Sequence, residues 1–209
     1  MRSPMQPRKG SRSKPAPNDA HPIELDELLA AEYDYIAQTA TQAYEDRARV
    51  SSFYLLAVGS LVAAIFGTQL FDAEKFTQTV KFMFSVLFLL LTLLGTSTIM
   101  QLGRLRAAWH ESMMAMNQIK DFAVSQKPEL IRAFRWKTST LPAKDKKGSV
   151  SYYQAIEVAF ISGLMFGAAV FFLLQGLSIE VGILHWGASV LAGIAAPFFQ
   201  LAVYKRALK

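Results

Sequence analysis

Apolar residues gather into four runs, each long enough to cross a bilayer as a helix. About 20 residues suffice, because the hydrocarbon core is about 30 Å thick and a helix rises about 1.5 Å per residue. The runs are 52–71, 82–102, 155–175 and 181–204, the third carrying Glu157 near its start. Two connections, Asp72–Lys81 and Gly176–Glu180, are too short to hold a folded domain. They predict two antiparallel hairpins, with Gly176 suited to a helix C-cap and Ser178 to the following N-cap.

Outside these runs the pattern turns amphipathic. Pro22 suits a first helical position, and Glu24, Asp26 and Glu27 complement the dipole of the first turn. Leu25, Leu28, Leu29, Ile36, Ala40, Ala43 and Tyr44 recur at three-to-four spacing, and no Pro or Gly interrupts 23–58. The helix is expected to run unbroken into the first span, about 75 Å from Pro22 to Phe71. After Gly103, the residues Leu105, Trp109, Met113, Met116, Ile119 and Ala123 share one face. The two extensions leave the membrane side by side, so each can bury its stripe on the other. Leu29, Ile36, Trp109, Met113 and Met116 are the expected seam. Pro128 opens a further short helix, 137–150 is a loop, and Ser151 with Gln154 forms a capping box for the third span.

The predicted fold class is an all-α polytopic membrane protein. Its four transmembrane helices form two antiparallel hairpins, and a cytoplasmic helical stalk extends the first two. Residues 1–21 read as a disordered basic tail, 22–136 as the stalk helices with the first hairpin, and 151–209 as the second hairpin.

Composition sharpens the reading. Of 209 residues, 22 are Lys or Arg, 16 are Asp or Glu, and none is Cys. Between Val158 and Tyr204 the sole charge is Glu180, which excludes an ordinary water-facing surface. The missing Cys excludes a disulfide scaffold, a thiol enzyme and Cys-ligated metal. Arg47, Arg49, Arg104, Arg106, Lys144, Lys205 and Arg206 all flank one side of the spans. The positive-inside rule then puts both termini in the cytoplasm. The same rule accounts for the basic stretch 120–147, so no specific nucleic acid is expected as partner. The bilayer, further copies of the chain and a cytoplasmic protein are.

Candidate sites are few. Small residues share a face in three spans: Gly59, Ala63 and Gly67; Ala159, Gly163 and Gly167; Ala188, Ala192 and Ala196. Small faces let helices approach closely in lipid. They serve either self-assembly or packing within one four-helix unit. Glu157 and His185 are the intramembrane polar candidates, since an ionisable group in lipid is costly and functional by default. His110-Glu111-x-x-Met114 starts like a zinc motif but lacks its second His. No catalytic, cofactor-binding or metal-binding set emerges. The expected function is a non-enzymatic membrane protein acting through helix assembly and cytoplasmic partner contacts. A small transporter or channel subunit is the alternative.

The segment from Leu102 through Trp109-His110-Glu111-Ser112 to Phe122, then Ala133 to Pro142, with Glu45-Asp46-Arg47-Ala48-Arg49 upstream, resembles an uncharacterised family of small bacterial four-span membrane proteins. More loosely, two spans with cytoplasmic helical extensions, and a Trp and bases after the second, resemble SLATT-type bacterial membrane effector domains. These likenesses imply the bacterial inner membrane, and a membrane-perturbing effector answering to a nucleotide-sensing partner. This chain adds a second hairpin that the two-span domains lack.

Overall fold

A computed structural model describes residues 24–67, 77–177 and 182–209. Four long helices carry the fold: α1 (Leu25–Gly67), α2 (Gln78–Gln126), α3 (Val150–Gly176) and α4 (Ile183–Ala207). Two short 3₁₀ turns, Pro128–Arg132 and Thr138–Thr140, lie between α2 and α3, and no strand occurs among the described residues. All four helices are long and apolar enough to cross a membrane. The chain is an all-α, membrane-embedded protein. At 43 and 49 residues, α1 and α2 run about 65 and 75 Å, well beyond a bilayer core. The basic tail, Pro22, the end of the first span at Phe71 and the Ser178 cap lie outside the described residues.

Helix starts follow local chemistry. Thr77 caps α2 through Val80 N, and Ser149 caps α3 through Tyr152 N. The expected capping box at Ser151 and Gln154 does not form, and the helix is capped two residues earlier by Ser149 alone. Gly148, at φ +78°, turns the chain just ahead of Ser149. Ser151 is buried instead, its hydroxyl 3.4 Å from the Tyr204 hydroxyl.

Helix α2 is the centre. It packs on α1, α3 and α4, whereas α1 touches α3 lightly. Two registers fix it. Gln78 donates to the Gly176 carbonyl, Ser85 to the Ala169 carbonyl, and Ser162 to the Thr92 carbonyl. These contacts recur every seven residues on both helices, running antiparallel. Against α4 the direction is parallel: Gln200 reaches Thr96, and seven residues on in each helix Gly103 lies against Ala207. A seven-residue repeat is the signature of left-handed, knobs-into-holes packing. Helix α1 is antiparallel to α2, with Lys120 over the Tyr33 ring at one end and Leu61 and Ile65 sharing a groove with Val80 and Phe84 at the other.

Helix α4 turns its polar side chains inward and its large apolar ones outward. The buried residues of α4 are His185, Ser189, Gln200 and Tyr204, while Leu184, Leu191, Ile194, Phe198 and Phe199 face outward. In hydrocarbon nothing favours apolar burial between helices, so close packing and hydrogen bonds hold them together. Phe84, Phe88 and Phe172 stack near the end of the α2–α3 contact, with ring centroids 5.3–6.2 Å apart.

Candidate functional site

The site residues divide into a polar seam within the spans and a cluster at the basic end of the bundle. The seam is built on close approach. Gly95 has no side chain, and that lets Ser162 of α3 and Tyr54 of α1 meet against α2. Gln200 of α4 donates to Ser162 Oγ at 2.6 Å and to Thr96 Oγ1 at 2.9 Å. Thr96 and Ser162 pass the chain of bonds to the Thr92 carbonyl. Residues from all four helices therefore converge here. Tyr54 is fully buried beside Ser162, yet its hydroxyl closes no well-aligned hydrogen bond among the described residues. The Gln200 carbonyl oxygen is likewise unpartnered.

The predicted small faces separate. Gly163 and Gly167 lie within the unit: a Cβ on Gly163 would meet Pro197 and the Gly193 carbonyl at 2.5–2.7 Å, and one on Gly167 the Ser189 carbonyl at 3.0 Å. Pro197 has no N–H to offer the Gly193 carbonyl four residues back, and that freed carbonyl faces Gly163. The α4 partners are therefore Ser189, Gly193 and Pro197, one position round from the expected Ala188, Ala192 and Ala196. Gly59, Ala63 and Gly67 face outward, and nothing lies within 4 Å of a Cβ at either glycine.

The polar candidates separate too. Glu157 is exposed on the outer face of α3, away from the seam. His185 is buried, edge-on to Phe171 at 4.6 Å, and neither ring nitrogen has a partner among the described residues. The seam and His185 do not meet.

At the basic end the paired extensions bury Ile36, Ala40, Ala43 and Arg47 of α1. Leu29 is half-buried, and Leu25, Leu28 and Tyr44 are exposed. Trp109, Met113 and Met116 are half-buried, whereas the buried positions of α2 here are Arg106, His110, Ser112 and Asn117. The expected seam is thus rotated. The reason is the segment after α2, which turns back and packs along it: His110 Nε2 lies 3.2 Å from the Pro142 carbonyl, Arg106 Nε 3.4 Å from the Lys144 carbonyl, and Lys144 pairs with Glu111 at 3.2 Å. Burial, aided by the Lys144 charge, holds the His110 imidazole below its ordinary value. Burial also lowers both Arg47 and Arg106 from the usual guanidinium range.

Arg47 and Arg106, which positive-inside reasoning counts only as flanking charges, are buried. Arg47 continues the spacing of Ile36, Ala40 and Ala43, a charge in phase with an apolar stripe, and that was the available signal. Among the described residues no three of His, Asp or Glu gather as a metal would need.

No protein-family model, curated protein or solved structure matches the chain. Two outward-opening grooves, about 740 Å³ between α1 and α2 and about 570 Å³ between α3 and α4, are lined almost wholly by apolar side chains. Such walls suit lipid chains and offer little to orient a polar substrate.

Proposed function

We propose that the protein is a non-enzymatic integral membrane protein of the bacterial inner membrane, with both termini cytoplasmic. It acts through helix assembly and cytoplasmic partner contacts, one form of which is a membrane-perturbing effector. The observation that carries this reading is the surface of α1. Beyond the apolar span it leaves Leu25, Leu28, Tyr35 and Tyr44 more than half exposed, on a helix continuous with that span. Large apolar side chains held in water mark an interaction surface. At membrane depth the same helix shows the unpacked Gly59 and Gly67. Continuity supports the coupling: without a hinge, a partner that tilts the extension tilts the span.

The occupant we assign to α1 is a second copy of the chain. A photo-crosslinking residue at position 35 in native membranes should give an adduct of twice the monomer mass. A heterologous adduct would transfer the surface to another protein, and monomer alone would overturn the reading.

The buried Tyr54, Ser162 and Gln200 and the half-buried Thr96, polar groups gathered within the spans, favour a second reading, a small transporter or channel subunit. Reconstituted vesicles loaded with a pH dye test it: proton or ion flux abolished by Gln200→Leu would support it, and tight vesicles would sink it.

A further inference from the structure

Arg47 is 5% exposed, and none of its N–H groups makes a hydrogen bond among the described residues. Arg106 is 7% exposed, and its one bond, to the Lys144 carbonyl, is long. Neither forms an ion pair among the described residues. Of the nearby carboxylates, Asp46 pairs with Arg49 at 2.9 Å and Glu111 with Lys144 at 3.2 Å, while Glu45 and Asp145 are exposed and pair with neither arginine among the described residues. We propose that Arg47 and Arg106, beside Tyr204, form a binding site for a phosphate-type oxyanion at the basic end of the bundle.

Four features support the site. First, a buried charge without a counter-charge is costly, and a guanidinium does not escape by losing its proton. Burial lowers both groups, yet both stay charged and need compensation. Second, they act on one locus. The antiparallel register that sets Lys120 over the Tyr33 ring brings Arg106 level with Arg47, fourteen residues further along on each helix, and buried Tyr204 lies against Gly103, one turn from Arg106. Third, both forks are held. Arg106 Cζ lies over the Trp109 ring, 4.5 Å from its centroid, and Arg47 Cζ over the Tyr44 ring at 5.1 Å. Such cation–π contacts help hold each guanidinium in place, and the N–H groups other than the bonded Arg106 Nε are left to grip an oxyanion. Fourth, the depth fits. Arg47 precedes the first span by one turn, and Arg106 lies one turn after Leu102, at the level where hydrocarbon gives way to headgroups. The oxyanion is therefore either the phosphate of a lipid headgroup or a free phosphate entering from the aqueous side. Exposed Lys205 and Arg206 follow Tyr204 in the chain and raise the local anion concentration.

The test uses the full-length protein in mild detergent. Native mass spectrometry reads phospholipid that survives delipidation. Thermal unfolding of lipid-free protein is titrated with inorganic phosphate, against chloride at matched ionic strength. A headgroup source predicts retained phospholipid and no response to phosphate. A free source predicts a rise in Tm with phosphate but not with chloride. In either case Arg47→Gln and Arg106→Gln should each weaken binding about tenfold or more, the size of one lost charge-assisted contact. Arg104→Gln, on the exposed side, should bind like the wild type. If the glutamine variants do not fold, Arg47→Lys and Arg106→Lys keep the charge, lose the fork, and should still bind more weakly. Wild-type protein that retains no phospholipid and ignores phosphate overturns the proposal. So does binding that falls in Arg104→Gln but persists in Arg106→Gln.

Discussion

Gly95 and Ser162 stand so close that a Cβ on the glycine would lie 2.5 Å from the serine Oγ and 2.8 Å from the Tyr54 hydroxyl. The spans of α1, α2 and α3 meet at this point, and the contact leaves no room for a methyl group. Gly95→Ala should destabilise the protein by about 1–3 kcal/mol, as overpacking a filled core does. The outward-facing Gly59 is its control, for nothing lies within 4 Å there. Gly59→Ala should be neutral or stabilise by up to about 1 kcal/mol through helix propensity. Thermal unfolding of both variants in the same detergent makes the comparison, and equal Tm shifts would refute the close contact.

Gln200→Leu should cost little. The amide loses two bonds, but Thr96 and Ser162 both keep the Thr92 carbonyl. Interhelical hydrogen bonds in membranes average about 0.6 kcal/mol. A loss above about 2 kcal/mol in denaturant unfolding would mean that the amide holds more than these two hydroxyls.

The segment after α2 should loosen in acid. His110 donates from Nε2 to the Pro142 carbonyl, and its Nδ1 is buried without a partner among the described residues. Burial lowers its folded pKa, so the unfolded segment takes up a proton first. The contribution of His110 is present above the ordinary histidine range and is lost as pH falls through the lowered folded value. Hydrogen exchange over 137–149 should rise as pH drops below about 6.5, after correction for intrinsic rates. His110→Gln should flatten that dependence, and a wild-type profile already flat would remove His110 as the cause.

Topology is open to a direct check, because the chain has no Cys. Asp145→Cys and Gly182→Cys place single thiols at opposite ends of α3 and α4. An impermeant reagent added to intact cells should label position 182 and spare 145 until the cells are opened. The reverse pattern would invert the charge argument.

The spans were legible because length and apolarity alone settle them. Register was present in the sequence but subtler. Ala155, Ser162, Ala169 and Gly176 are buried at every seventh position of α3, toward α2. The four-residue stripe of Ala159, Gly163 and Gly167 that catches the eye serves α4 instead. Two small-residue periods overlap on one helix, and their assignment needs the neighbours' positions. The rotated seam of the extensions had no local signal. It arises from residues 137–149 folding back on α2, a contact 32 to 38 residues apart in the chain. Arg47 and Arg106 were hidden by their type, since one side's charge rule explains any arginine near a span end without asking which way it points.

The two seven-residue registers have a mechanical consequence. Sliding α2 along its axis would break the Ser85 bond to α3 and the Gln200 bond to Thr96 together, one against an antiparallel neighbour and one against a parallel one. These three helices therefore behave as a locked frame that resists piston strokes. The described side-chain bonds of α1, from Thr39, Thr41 and Arg49, close within that helix. Helix α1, some 65 Å long, is seated on that frame by Tyr54, which is buried against Gly95 and Ser162.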